Sequence, residues 1–192
     1  ITRHLNNAGR SSDKGLTADS LLQPNMDFSK RRRELQQKLR RKKIDALLVS
    51  QPQNRRYLSG FSAPDHSISE SSGILFVPAR GKCILMTDFR YQLQAENETE
   101  LEVYIYRKGL TRALENILSD SLISTLGFES QYTLHSLWTR LTILCDRMKI
   151  ALTPVSNLVE QLRVVKNEEE LSLIRQSVKL NEQVFEKIFP EI

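Results

Sequence analysis

The chain has 192 residues, 40% hydrophobic and 27% charged, which suits one soluble domain of ordinary size with segments attached at its ends. Its longest apolar runs, IDALLV and GILFV, fall far short of the roughly 18–20 residues that cross a membrane, and the polar start ITRHLNNAGRSSDKGLTADS lacks the apolar stretch of a secretory signal, so the expected location is cytoplasmic. The net charge of +5 is concentrated in KRRRELQQKLRRKK (residues 30–43), where nine Lys or Arg accompany one Glu, leaving the remainder of the chain at −3.

Residues 1–26 are polar, aperiodic and begin with Ile, and read as a tail or the cut start of a longer product. In the basic segment, Phe28, Leu35 and Leu39 fall at spacings of seven and four, one face of a helix with the bases around the other. No aromatic residues are interleaved for base stacking, so a basic surface face is expected and nucleic acid is not expected as a partner. Ile44 to Val49 is apolar apart from Asp45, the pattern of a strand covered on both sides. NRRYLSGF (54–61) follows and reads as a loop after that strand.

SSGILFVPARGKCILMTDF holds two apolar runs around Pro78-Ala79-Arg80-Gly81, which predicts an antiparallel hairpin. TDFRY then starts a helix through RYQLQAENE, with Asp88 and Arg90 placed to cap it and pair locally. LEVYIYR alternates and should be a strand. LTRALENILSD should be a helix with Leu110, Ala113, Leu114, Ile117 and Leu118 on one side, followed by a short strand in STLGFES and an amphipathic helix in TLHSLWTRLTILCDRM. ALTPVS gives a last strand, and Pro154 puts it at an edge. Strands separated by helices imply crossovers and a mixed or largely parallel sheet with helices on its faces, an α/β domain of about 130 residues. Beyond it, Asn167 and Glu170 form a capping-box pair, and Leu171, Ile174, Val178, Phe185 and Ile188 make an apolar stripe on a long helix.

The residues alone outline no active site. His4, His66 and His135 stand apart, and no HExxH, CxxC or glycine-rich phosphate loop occurs. LGFES is not the G-x-S-x-G elbow of a hydrolase. Cys83 and Cys145 have no ligand spacing, so buried thiols are expected.

Several segments taken together resemble one family. IDALLVSQPQNRRYLSGFS, GILFVPARGKCILMTDFRYQLQAENE, GFES and VEQLRVVKNEEELSLIRQS occur in the order found in the N-terminal domain of Xaa-Pro aminopeptidases and dipeptidases, the relatives of prolidase and creatinase. The resemblance implies a mixed, mostly parallel sheet with helices on both faces, ribonuclease-H-like, over residues 27–160. A polar tail (1–26) would precede it, and 161–192 would be the linker and first helix of a "pita-bread" catalytic domain.

In the family, two divalent ions (manganese, cobalt or zinc) are held by two Asp, one His and two Glu of the catalytic half, so this chain is expected to hold no metal and to be inactive alone. Paired metals suit peptide hydrolysis because they lower the pKa of a bridging water and polarise the scissile carbonyl. Implied partners are the protein's own catalytic domain, a second subunit in a homodimer, and proline-containing peptides. The loop after the first strand would narrow the substrate entrance, with Asn54, Tyr57, Phe61 and His66 as entrance residues. Asn54 would fix the turn through backbone bonds, Tyr57 and Leu58 would pack beneath the sheet, Gly60 would allow a sharp exit, and Phe61 would reach the substrate. Creatinase-like members carry a basic residue just after this loop. Here Pro64-Asp65-His66 stands instead, leaving His66 as the cationic candidate. Two alternatives stay open: the eight residues only build the turn, or the whole domain is a non-catalytic peptide- or protein-binding module.

Overall fold

A computed structural model describes residues 26–67 and 69–189. The expected tail, with His4, lies outside the described residues apart from Met26. Asp27–Lys166 forms one compact unit; the chain from Asn167 belongs to a second.

The compact unit runs α1 (Phe28–Arg41), β1 (Ala46–Val49), α2 (Pro52–Ser59), β2 (Ile74–Pro78), β3 (Ile84–Thr87), a 3-10 turn (Phe89–Tyr91), α3 (Gln92–Glu98), β4 (Glu102–Ile105), α4 (Leu110–Ser119), β5 (Thr125–Glu129), α5 (His135–Met148), β6 (Ala151–Val155) and α6 (Glu160–Val164). The strands form one sheet in the order β4-β3-β2-β1-β5-β6. β1 pairs parallel with β5, β5 with β6 and β3 with β4, while β2 runs antiparallel to both β1 and β3. Five strands therefore point one way and β2 alone opposes them, so the mixed, mostly parallel α/β fold expected from the sequence is the one found. β6 is an edge strand, as Pro154 requires.

The continuous apolar runs are explained by burial on both faces. Successive side chains of a strand point to opposite sides. Leu47 and Val49 of β1 and Leu75 and Val77 of β2 join a core with Leu35 and Leu39 of α1, Leu58 of α2 and Ala95 of α3. Ala46, Leu48, Ile74 and Phe76 face the other way and pack with Ala113, Leu114 and Leu118 of α4 and Leu141, Leu144 and Cys145 of α5. Asp45, the one polar residue in the first run, fixes the start of β5 against β1. Its Oδ2 accepts from the backbone N–H groups of Ser124 and Thr125, both at 2.9 Å. Cys83 and Cys145 are buried free thiols, and burial pushes the pKa of each up to about 11.

Two expectations are corrected. Residues 52–59 form helix α2 rather than a loop. Pro52 opens it with a preset φ, and Gly60 ends it in the left-handed conformation (φ 83°) that glycine adopts without strain. The basic face of α1 is also less free than its spacing suggests. Arg31 is buried, its guanidinium 4.1 Å from the Tyr57 ring centre and donating to the Tyr57 carbonyl at 3.1 Å. Arg32 donates to the Leu58 carbonyl at 2.8 Å and Arg40 to the Ala79 carbonyl at 2.6 Å. Tyr57 and Leu58 stand in the last turn of α2, whose carbonyls lack intrahelical partners and attract cations. Part of the basic run thus caps another helix.

The second unit contributes α7 (Glu168–Ile188). Its N-terminus is a capping box: Asn167 Oδ1 accepts from the Glu170 N–H at 2.8 Å, and Glu170 accepts from the Asn167 N–H at 3.0 Å.

Candidate functional site

Helix α2 carries two adjacent polar residues, Asn54 and Arg55, with no exposed surface. Each anchors a different neighbour of the sheet's carboxyl edge. The N-terminus of α2 has no side-chain cap of its own. Glu129 at the end of β5 instead holds the two residues that lead into it: its Oε2 accepts from the backbone N–H groups of Ser50 and Gln51, both at 2.7 Å. Asn54 Nδ2 lies 2.6 Å from Glu129 Oε1 and 2.6 Å from Glu160 Oε1, and Asn54 Oδ1 accepts from Arg163 at 2.8 Å. The network joins β5, α2 and α6. Burial raises the Glu129 pKa; the Gln51, Asn54 and Ser50 donors oppose that shift, and nearby Glu160 adds to it.

Arg55 holds the segment between α2 and β2. It donates to the Ala63 carbonyl at 2.7 Å, Ser72 Oγ at 2.6 Å, Asp65 Oδ1 at 3.2 Å and the Gly73 carbonyl. Asp65 also accepts from the Ser72 N–H at 2.9 Å. Burial lowers the Arg55 pKa and Asp65 opposes the shift.

The expected entrance residues divide between these two anchors. Asn54 fixes the fold through side chains rather than backbone bonds. Tyr57 is half-buried beside the core, its hydroxyl donating to the Leu162 carbonyl at 3.0 Å. Phe61 has no exposed surface: its ring stands edge-on to Tyr91 at 6.4 Å and 5.4 Å from the Arg55 guanidinium. Within this unit its contacts are packing contacts. His66 alone of the four is exposed, stacked on Tyr91 at 6.3 Å. Phe61 and His66 thus meet through Tyr91, while Asn54 and Tyr57 are tied to α6. Asp88 and Arg90 pair locally as expected, Asp88 accepting from the Arg90 N–H at 2.9 Å. Sequence reasoning does not single out Arg55, Glu129 and Arg163 as a set. The available signal is a charged residue at the end of an apolar strand (TLGFE) and an arginine amid residues that must pack.

Among the described residues, no three His, Cys, Asp or Glu side chains gather as a metal ion needs. A two-metal centre does not fit the residues of this unit.

Similarity to known proteins agrees with this architecture. The family model for the creatinase/prolidase N-terminal domain matches residues 31–165, and the chain belongs to that family. It is similar to the N-terminal domain of the cytoplasmic peptidase PepQ from Mycobacterium tuberculosis (32% identity, TM-score 0.61, 69% of this chain and 98% of that one). It is also similar to the X-Pro aminopeptidase from Thermotoga maritima (27%, TM-score 0.68, 78% of this chain and 42% of that one). The uncharacterized peptidase YqhT of Bacillus subtilis is 26% identical over 146 residues, 76% of this chain; the chain spans 38% of that relative's length. No helix among the described residues is long and apolar enough to cross a membrane.

Proposed function

We propose that Asp27–Lys166 is the N-terminal, substrate-restricting unit of a cytoplasmic metal-dependent Xaa-Pro peptidase that acts as a homodimer. The observation that carries the reading is the family match across nearly the whole compact unit, together with similarity to proteins named as peptidases and as an X-Pro aminopeptidase. The two metal ions and the hydrolytic chemistry belong, on this reading, to a catalytic segment outside the described residues. This unit supplies shape. Arg55 clamps Ala63, Asp65 and Gly73, and the clamped segment presents exposed His66 on the Tyr91 ring. A segment held from below by Arg55 with an exposed imidazole above it suits contact with a peptide beside the scissile bond.

The test is hydrolysis of an Ala-Pro substrate. The pure 192-residue chain should release no proline above a metal-only blank with manganese, cobalt or zinc, whereas a longer polypeptide carrying the Asp-Asp-His-Glu-Glu set should. Proline release by the chain alone would overturn the division of labour. A longer polypeptide lacking those ligands would leave a non-catalytic peptide-binding module.

A further inference from the structure

An open groove of about 320 Å³ lies along the carboxyl edge of the sheet, lined by residues from the ends of several strands and from the starts of two helices. In open α/β sheets this edge is where ligands bind. Ser50 follows β1, Asp88 follows β3, Tyr106 follows β4 and Tyr132 follows β5, and all four line it.

The charges in the groove wall are mostly spoken for. Asp65 is held by Arg55 and Ser72, and Arg90 bridges both Glu70 and Asp88. Arg140 of α5 is the exception: it is exposed in the groove and has no ion-pair or hydrogen-bond partner among the described residues. Two helices also begin here. Leu110 opens α4 and Leu134 precedes α5, and neither helix has a side-chain cap or an acidic residue in its first turn. Uncapped N–H groups and an unpaired guanidinium favour the same ligand group, an anion. Beside them lie the apolar side chains of Ile74, Leu134 and Leu137 and the hydroxyls of Tyr106 and Tyr132, which make no hydrogen bond among the described residues.

We propose that this groove binds the C-terminal end of a short peptide, its carboxylate on Arg140 and its last apolar side chain against Leu134 and Leu137. The tyrosine hydroxyls meet the backbone amide groups of the preceding residue. The choice of a peptide over another organic carboxylate rests on the peptidase reading; the groove itself does not. Its volume and its mix of apolar surface with a few polar groups suit a ligand of two or three residues.

The experiment is a titration of the isotope-labelled 192-residue chain, followed by NMR, with three probes: Gly-Pro-Leu, its C-terminal amide, and hexanoate. Gly-Pro-Leu should saturate and perturb amides around Leu134–Arg140 and Tyr106. Amidation, or Arg140→Gln, should weaken binding about tenfold or more, the size of one charge-assisted hydrogen bond. Arg140→Lys should recover part of it, with an unchanged melting temperature in both variants because Arg140 is exposed. Equal binding of acid and amide, indifference to Arg140→Gln, or no saturable binding would overturn the proposal. Hexanoate binding as well as the peptide would overturn the peptide assignment. Failure here with proline release by the longer polypeptide intact would leave the peptidase reading standing, and the reverse pattern would leave the groove.

Discussion

Asn54 and Arg55 are neighbours on one helix and equally buried, yet their hydrogen bonds reach different ranges of the chain. Arg55 reaches groups 8 to 18 residues away, two of them backbone carbonyls, and closes one local segment. Asn54 reaches Glu129, Glu160 and Arg163, 75 to 109 residues away, and ties three elements together. The Arg55 node rests on a permanent cation. The Asn54 node rests on a buried carboxylate whose pKa is raised. The first node should therefore be the stronger, and the second should carry a pH response through Glu129.

The largest expected effect comes from breaking the first node. Arg55→Met takes the cation from Asp65 and leaves that carboxylate and the Ala63 and Gly73 carbonyls with only Ser71 and Ser72 as donors among the described residues. Removing one partner of a buried ion pair typically costs about 3–5 kcal/mol. Urea unfolding of the chain checks this. Adding Asp65→Asn should recover part of the loss, and a cost near zero for Arg55→Met would break the comparison.

Gly60 comes next, because the segment held by Arg55 leaves α2 through it. A Cβ there would meet the Glu98 carbonyl oxygen at 2.9 Å and the Phe28 ring at 3.1 Å, in a left-handed backbone conformation. Gly60→Ala should destabilise by about 1–3 kcal/mol, read from the same unfolding curve.

Smaller still is the pH response of the Asn54 node. Glu129 has its pKa raised by folding, so the native state holds its proton to higher pH than the unfolded chain does. Its contribution to stability is therefore most favourable below the ordinary Glu range and declines as pH rises through the raised folded value. Glu129→Gln should remove that slope, so the difference in stability between parent and variant should change with pH in this direction. Parallel pH profiles would show that folding leaves the Glu129 pKa unshifted and would contradict the raised value.

The same contrast explains how much the sequence reveals by itself. The sheet is legible because β1 and β2 are apolar on both faces and because Pro78 to Gly81 and Pro154 mark a turn and an edge. The capping box of α7 is legible because both partners lie within four residues. Helix α2 is not, since the residues leading into it are held by Glu129, 78 residues from Gln51, and its C-terminal carbonyls are met by Arg31 and Arg32 of α1. Phe61 looks like a surface aromatic in a loop, and only the fold shows that Arg55 and Tyr91 enclose it. Of the candidate site, the position of His66 is readable and the support beneath it is not.

The central claim is that the segment clamped by Arg55 presents His66 to a substrate. The direct measurement is steady-state kinetics of the longer polypeptide with His66→Ala, using Ala-Pro and an extended Xaa-Pro peptide, with the melting temperature recorded alongside. His66 is exposed, so stability should stay within about 0.5 kcal/mol of the parent. The account predicts a raised KM with little change in kcat, the pattern of a lost substrate contact that does not handle the scissile bond. Unchanged kinetics for both substrates would contradict it and leave the Arg55 clamp as scaffolding alone.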